Sequence, residues 1–495
     1  MMTFDWFAKW AEYSPEKLAL VEGDKKASYQ QLNEKAKAYS GRIHDEFELE
    51  KGDRIAILSG FSIELIALFG AAQKAGFILV PMNTRLTSKE IAYQIADSGA
   101  KLVVAEEEFK EKLTEVEVRS IGFNGLEGNG SEYSNEITES DPIFILYTSG
   151  TTGFPKGAVY THGMLFWNSV NTALRLDLTS QDVTVNCMPS FHTGGWNVLI
   201  TPLLHRGGTI WLERDFDTNK ILRNLEKSGS TLFMAVPTML KMMSDSGNCE
   251  STNFEKIRYF IVGGEALPIP TIEYWSNLGI PIRQGYGLTE VGPNVTSLHQ
   301  SDTIQKRGSI GFFNFYVQGK IVDESGEECR VDEVGELWLA GPNVTPGYWH
   351  NDQANEDSFS KGWFKTGDLV RKDADGYLYV AGRKKEMYIS GGENVYPREV
   401  EKVLQNNESV SEAAVIGVPD EKWGESGAAF IVKSNENDTS EERLRSYCLE
   451  NLAKFKIPRY FFFVDAFPLN ATGKVDKKEL FKSIKLQKPT DHENE

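Results

Sequence analysis

The residues of this sequence best suited to chemistry stand in four short runs. The first, Ser149-Gly150-Thr151-Thr152-Gly153-Phe154-Pro155-Lys156-Gly157, follows an apolar stretch at 143–147 and precedes Ala158-Val159-Tyr160. Its three leading glycines let the backbone approach a ligand closely and adopt positive φ. The hydroxyls of Thr148, Ser149, Thr151 and Thr152, with the Lys156 ammonium, supply donors for phosphate oxygens. It is not a P-loop, because no G-x-x-x-x-G-K-[ST] string occurs in the chain. The second run, Gln284-Gly285-Tyr286-Gly287-Leu288-Thr289-Glu290, joins a flat aromatic suited to a nucleobase, a hydroxyl for phosphate and a carboxylate for Mg²⁺. The third, Lys365-Thr366-Gly367-Asp368, sets a carboxylate where it could accept both hydroxyls of a ribose. The fourth, Asn470-Ala471-Thr472-Gly473-Lys474, displays a lysine on a glycine-bearing loop. Each has a plain alternative: a flexible turn, a glycine-flanked turn with Tyr286 on the surface, an ordinary Asp at a hairpin start, a solvated lysine.

The elements that must position these runs alternate. Strands are expected at 54–58, 78–81 and 101–105, with helices at 62–77 and 88–98, a pattern of parallel sheet with crossover helices. Residues 107–140 are acidic and read as a surface connector. Beyond the first run, strands are expected at 183–188, 209–212, 231–236, 258–262 and 280–283, and helices at 218–227 and 270–278. From 308 to 382 the character changes to short strands with turn signals, including a hairpin over 369–371 and 377–380. A helix opens at Pro397, strands follow at 413–418 and 428–432, and Thr439-Ser-Glu-Glu442 matches a capping box.

Composition narrows the class. A chain of 495 residues suggests three or four domain-sized units, and 40% apolar with 25% charged residues is ordinary for a soluble enzyme. A net charge of −18 argues against a nucleic-acid footprint, which needs a basic face. Cys187, Cys249, Cys329 and Cys448 lack metal spacing and read as reduced thiols of a cytoplasmic protein. No signal peptide and no stretch of 18 apolar residues is apparent. The seven histidines form no ligand pattern.

In this order the runs resemble the adenylate-forming acyl-CoA synthetase superfamily, which also contains firefly-type luciferases and the adenylation domains of peptide synthetases. The resemblance extends from about residue 4 to 484 and also takes in Met188-Pro-Ser-Phe-His192, Gly263-Gly-Glu-Ala-Leu267, Gly382-Arg383 and Gly391-Gly-Glu-Asn394. The strings Ile389-Ser-Gly-Gly-Glu-Asn-Val-Tyr-Pro397 and Gly417-Val-Pro-Asp-Glu-Lys-Trp-Gly424 point to the fatty-acid and related acyl-CoA ligases.

The resemblance implies an α/β fold. A large N-terminal domain over 1–383 would hold two parallel-sheet subdomains and a β-rich subdomain at 308–382, followed by a small mobile α+β domain at 384–485 and a disordered tail at 486–495. It implies two half-reactions: a carboxylate attacks the α-phosphorus of ATP to give acyl-adenylate and pyrophosphate, then the thiol of CoA displaces AMP. Lys474 would bridge acyl carboxylate and nucleotide, and Thr148, Ser149, Gly150, Thr151, Thr152, Gly153 and Lys156 would hold the β- and γ-phosphates. Thr289 would contact the α-phosphate, and Glu290, with Thr152, would bind Mg²⁺. Tyr286 would stack on adenine, with Gln284, Gly285, Gly287 and the backbone of Gly263, Gly264 and Glu265 around it. Asp368, Val380 and Arg383 would hold the ribose side. The C-terminal domain would pivot at Lys385, where many relatives carry Asp, and Gly391, Gly392 and Glu393 would line the pantetheine tunnel. His192 would gate acyl pocket and tunnel, against the plainer reading of a packed or capping histidine.

The acyl pocket is expected from segments 192–199, 233–238, 262–267 and 286–295, with Trp196 and Met234 as apolar lining. Such a pocket fits a medium- or long-chain fatty acid, each buried CH₂ contributing about 0.8 kcal/mol. No cation in these segments is obviously placed for a second carboxylate, which disfavours a succinylbenzoate-type acid; an aryl or cinnamate-type acid is a further alternative. Other readings are a stand-alone adenylation enzyme loading a carrier protein, a luciferase-like oxygenase, and a non-enzymatic nucleotide-binding homologue. The expected partners are a small carboxylic acid, ATP and CoA, with no nucleic acid; peripheral membrane contact and a homodimer are left open.

Overall fold

Short β-branched runs alternating with capped helices build most of this chain. The computed structural model describes residues 4–128, 130–148, 155–264, 267–390, 393–420, 422–434, 439–470 and 474–486. The helix Ile63–Ala75 shows the local logic: Ser62 accepts from the Leu65 N–H at its start, and Gly76, at φ 79°, closes it in the left-handed region. Nearly every residue of that helix is buried, which explains why it carries so little polar surface.

Two compact units result: Met1–Leu267 with Thr271–Gly319 and Leu339–Lys365, and Pro268–Pro270 with Lys320–Trp338 and Thr366–Glu495. The first unit holds two sheets. The larger runs Phe312–Phe313, Thr296–Ser297, Ile282–Tyr286, Tyr259–Val262, Leu232–Ala235, Val183–Asn186, Thr209–Leu212, Leu18–Glu22, Lys25–Ser28, with parallel pairing from Ile282–Tyr286 through Leu18–Glu22. The other runs Ser120–Ile121, Leu102–Ala105, Arg54–Leu58, Ile78–Pro81, Pro142–Thr148, Lys156–Thr161. Only its last pair is antiparallel. One apolar core joins both sheets around the fully buried Trp196, Phe69 and Phe144. The α/β class expected from the alternation is what forms.

The second unit holds, from Thr366 onward, the antiparallel pairing of the strand Trp363–Lys372 with Leu378–Arg383. It also holds a sheet ordered Glu393–Val395, Tyr388–Ser390, Gly424–Lys433, Val410–Asp420, with Tyr460–Phe463 beside Gly424–Lys433. The helix Pro397–Gln405 packs on this sheet through Val400 and Leu404.

Three expectations need correction. The strand expected at 280–283 runs Ile282–Tyr286, so Gln284, Gly285 and Tyr286 are strand residues rather than loop. Pairing to Tyr259–Val262 on one side and Thr296–Ser297 on the other carries the strand through its polar residues. The cap expected at Thr439 belongs to Ser440, whose side chain accepts from the Arg443 N–H and opens the helix Glu441–Asn451. The connector at 107–140 is partly structural: Ser120–Ile121 adds an edge strand, Leu126 is fully buried, and Tyr133 stacks on His44 with ring centroids 3.8 Å apart. No helix among the described residues is long and apolar enough to cross a membrane.

Candidate active site

In open parallel sheets the carboxyl ends of strands are where backbone groups and loops converge on ligands. The candidate residues of the first unit gather there. Thr148 ends its strand, Gly263 follows Tyr259–Val262, Tyr286 ends Ile282–Tyr286, and His192 lies in the loop after Val183–Asn186. Gln284 is in register with Val262, so the runs beginning at 263 and 284 emerge from neighbouring strands.

The Glu290 carboxylate anchors the densest part of this region. Glu290 is 8% exposed. The Tyr348 hydroxyl donates to its Oε1 at 2.9 Å and Thr148 Oγ1 donates to the same oxygen at 3.4 Å. Lys156 Nζ stands 5.3 Å from the centroid of the Tyr348 ring, within cation–π range. One tyrosine therefore touches the carboxylate with its hydroxyl and the lysine with its face. The backbone is fixed just as firmly. Thr345 N–H donates to Glu290 O at 2.7 Å, and the Asn343 amide donates to Val291 O. Val159 N–H donates to Gly347 O at 3.0 Å and Trp349 N–H to Gly157 O at 2.7 Å, so the 343–349 segment is stitched to the Lys156–Thr161 strand as well. Gly287 is obligatory: a Cβ there would lie 2.1 Å from Pro293 O. Carboxylate and hydroxyl oxygens in such a fixed frame are the hard donors that suit Mg²⁺.

Around this corner, Gln284 is 4% exposed with an unpartnered Oε1, and Tyr286, Gly287 and Thr289 are half-buried. Gly264 takes φ +88° with nothing near its would-be Cβ. His192 is half-buried, 4.5 Å from the Phe191 ring, and makes no capping hydrogen bond with its side chain, which removes the capping reading. Trp196, expected to line the acyl pocket, is fully buried in the core, its Nε1 donating to Ser190 O at 2.6 Å. Ser149, Gly150, Thr151, Thr152, Gly153 and Glu265 lie outside the described residues.

In the second unit, Asp368 and Arg383 face one another across the hairpin, with Arg383 Nε 2.7 Å from Asp368 Oδ1. Asp368 is 4% exposed and its N–H donates to Thr366 Oγ1 at 3.0 Å. Val380 is half-buried opposite Val370, and Lys385 is exposed just past the strand. Gly391 and Gly392 lie outside the described residues; Glu393 is exposed. Lys474 is exposed on a turn closed by its N–H to Asn470 Oδ1 at 3.1 Å and by Asn470 N–H to Lys474 O at 2.8 Å. Three residues on, Lys477 pairs with Glu386 at 2.8 Å and Glu401 at 3.0 Å. The Glu401 and Glu386 carboxylates outweigh the opposing effect of burial and hold the Lys477 ammonium above its ordinary range.

Sequence reasoning missed Tyr348, Arg283 and Lys477. Tyr348 lies 58 residues from Glu290, and only the glycines at 341 and 347 hinted at a tight path there.

The comparisons with known proteins agree with this geometry. A model of the AMP-binding enzyme family matches residues 7–349, and one of the AMP-binding enzyme C-terminal domain matches residues 399–474. The chain is 36% identical to a 2-succinylbenzoate–CoA ligase of Bacillus licheniformis, over 96% of this chain and 99% of that one. It is 33% identical to a feruloyl-CoA synthase of Amycolatopsis, covering 96% and 97%. Among solved structures, the o-succinylbenzoate CoA synthetase MenE of Bacillus subtilis with its acyl-adenylate intermediate superposes with a TM-score of 0.89 at 34% identity, covering 96% of this chain and 97% of that one. The same enzyme has been solved with ATP and magnesium ion. The chain therefore belongs to the AMP-binding enzyme family of adenylate-forming proteins, and it is an AMP-forming acid–thiol ligase of the acyl-CoA synthetase branch.

Proposed function

We propose that this ligase activates an aromatic acid of the 2-succinylbenzoate type, using ATP, Mg²⁺ and CoA. The observation that carries the reading is end-to-end similarity to 2-succinylbenzoate–CoA ligases at 34–36% identity across 96% of the chain. The expectation of a medium- or long-chain fatty acid has no such support. A hydroxycinnamic acid is the second reading, favoured by the feruloyl-CoA synthases at 33% identity.

In the first half-reaction an acid oxygen forms a bond to the α-phosphorus and the bond to pyrophosphate breaks. Two anions must meet, so positioned cations and donors dominate over acid–base groups. Lys474 is assigned to the meeting carboxylate and nucleotide, Lys156 with the 148–153 hydroxyls to the outer phosphates, and Thr289 to the α-phosphate. Tyr286 takes the adenine face, and Asp368 with Arg383 the ribose. Mg²⁺, when bound, neutralises phosphate charge, and Glu290 with Thr152 would hold it. In the second half-reaction the CoA sulfur bonds to the acyl carbon, losing its proton, and AMP leaves. A rotation of the C-terminal part about Lys385 between the steps completes the proposal; such motions occupy μs–ms.

Pyrophosphate and AMP release over 2-succinylbenzoate, ferulate and C2–C18 fatty acids tests the reading, each with and without CoA. The expected result is 2-succinylbenzoate first, with AMP release requiring CoA. A fatty acid ahead of both aromatic acids would overturn it, and AMP release independent of CoA would point to a carrier-protein acceptor.

A further inference from the structure

A buried arginine shares a strand with Gln284 and Tyr286, and no part of the mechanism uses it. Arg283, in the strand Ile282–Tyr286, is 2% exposed. Its Nη2 donates to Arg175 O at 2.7 Å and its Nη1 to Gln300 Oε1 at 2.9 Å, while the guanidinium lies 4.9 Å from the Tyr259 ring centroid. All of these partners are neutral. Neither Arg283 nor Arg175 forms an ion pair within 4.0 Å among the described residues, and Arg283 Nε has no hydrogen-bond partner. A buried charge left without a counter-ion is expensive unless something answers it. Burial, with the like charges of Arg175 and Arg258, outweighs the support of Tyr259 and lowers Arg283 to about 10, so it still carries its proton at neutral pH.

Nε is not the only orphan. Thr296 Oγ1, in a residue 1% exposed, is also unpartnered. Arg283 and Thr296 line the same cavity of about 10 Å³, together with Thr172, Asn294, Ser297 and Asn314. Its remaining walls tie it to the expected acyl pocket. Asn294, which belongs to the segment 286–295, donates its amide to Asn197 O at 3.1 Å in the segment that begins at His192. Those are two of the four segments from which the acyl pocket is expected.

The volume decides what can occupy this space. A space of that size holds at most a single water and is too small for a carboxylate. A water there would accept from Arg283 Nε–H, share a hydrogen bond with Thr296 Oγ1, and keep a donor for an anion on the pocket side.

We infer that Arg283 determines acid specificity by reading, through one bridging water, a carboxylate at the far end of the acid from the one that is activated. This rests on the proposed reading that the acid is dicarboxylic, and it supplies the cation that the sequence did not reveal.

The test compares 2-succinylbenzoate with 4-oxo-4-phenylbutanoate, the same acid lacking its ring carboxylate, in wild type, Arg283→Met, Arg283→Lys and Thr296→Val. Hydrogen bonds to charged groups set the scale. Arg283→Met should lower kcat/KM for the diacid about 10- to 100-fold while leaving the monoacid within about threefold. Arg283→Lys should recover part of the loss, and Thr296→Val should shift the same ratio by about three- to tenfold. The monoacid rate reports that each variant is folded. An unchanged diacid-to-monoacid ratio in Arg283→Met, whether both rates fall together or neither falls, overturns the inference while leaving the proposed substrate standing. If wild type prefers the monoacid, the dicarboxylic reading fails first and the inference falls with it.

Discussion

The Glu290 corner of the first unit and the Lys474 turn of the second hold their charges in opposite ways. Glu290 is nearly buried, with its carboxylate, its own carbonyl and that of the next residue each tied to the 343–348 segment. Lys474 is exposed, and its backbone N–H and carbonyl both bond to Asn470. The partly buried ion pairs come three residues later, at Lys477. A group that organises phosphate charge gains from being immobile before substrate arrives, because no reorganisation is then needed during reaction. A group required in only one half-reaction gains from an exposed perch on a firmly held base.

The largest expected effect breaks the comparison at its exposed end. Lys474→Ala should cost about 10²–10³-fold in adenylate formation, the scale of one preorganised contact, yet spare thioester formation from preformed acyl-adenylate. Rapid-quench measurement of both half-reactions decides it, and equal losses in both would end the division of labour. At the fixed end, Glu290→Gln should slow adenylation by about 10²-fold and abolish the Mg²⁺ dependence of ATP binding followed by calorimetry. Binding that keeps its full Mg²⁺ dependence would remove Glu290 from the metal role.

Tyr348→Phe sharpens the comparison more finely. It deletes one hydrogen bond to a charged oxygen, about 1.5–3 kcal/mol where fully made, so the Mg²⁺ concentration needed for half-maximal adenylation should rise about tenfold. ATP affinity without Mg²⁺ should not move; a parallel fall there would make Tyr348 a general packing residue. The smallest effect belongs to Lys477→Met. Its pairs are about a quarter exposed on the lysine side, between surface and buried cases, so a loss of about 1–2 kcal/mol is expected. Because the folded-state pKa of Lys477 is raised, its contribution is complete below the unfolded value of 10.5 and is lost only as pH climbs through the higher folded value. The gap in melting temperature between wild type and Lys477→Met should stay constant from pH 7 to 9, and a gap that shrinks across that range would contradict the assignment.

Much of the fold was legible because its elements are locally encoded. The strand Arg54–Leu58 and the helices Ser88–Ser98 and Thr218–Ser228 emerge close to where apolar period and caps place them. The strand Ile282–Tyr286 was misplaced because Gln284 and Gly285 look like loop until neighbouring strands pair with them. Trp196 was misjudged for a related reason: an aromatic beside glycines reads as pocket lining, while contacts with Phe61, Phe69 and Phe144 make it core. Asp368 and Arg383 were both singled out, but their 2.7 Å pairing depends on hairpin register.

By itself the sequence determined the α/β class, the family and the order in which hydroxyls, carboxylates and lysines are presented, because each depends on neighbours within a few residues. Tertiary structure alone decided that Tyr348 serves Glu290 and that Arg283 lies buried with no counter-ion among the described residues. Those relations join residues far apart in the chain, and packing rather than local pattern selects which of many polar groups meet.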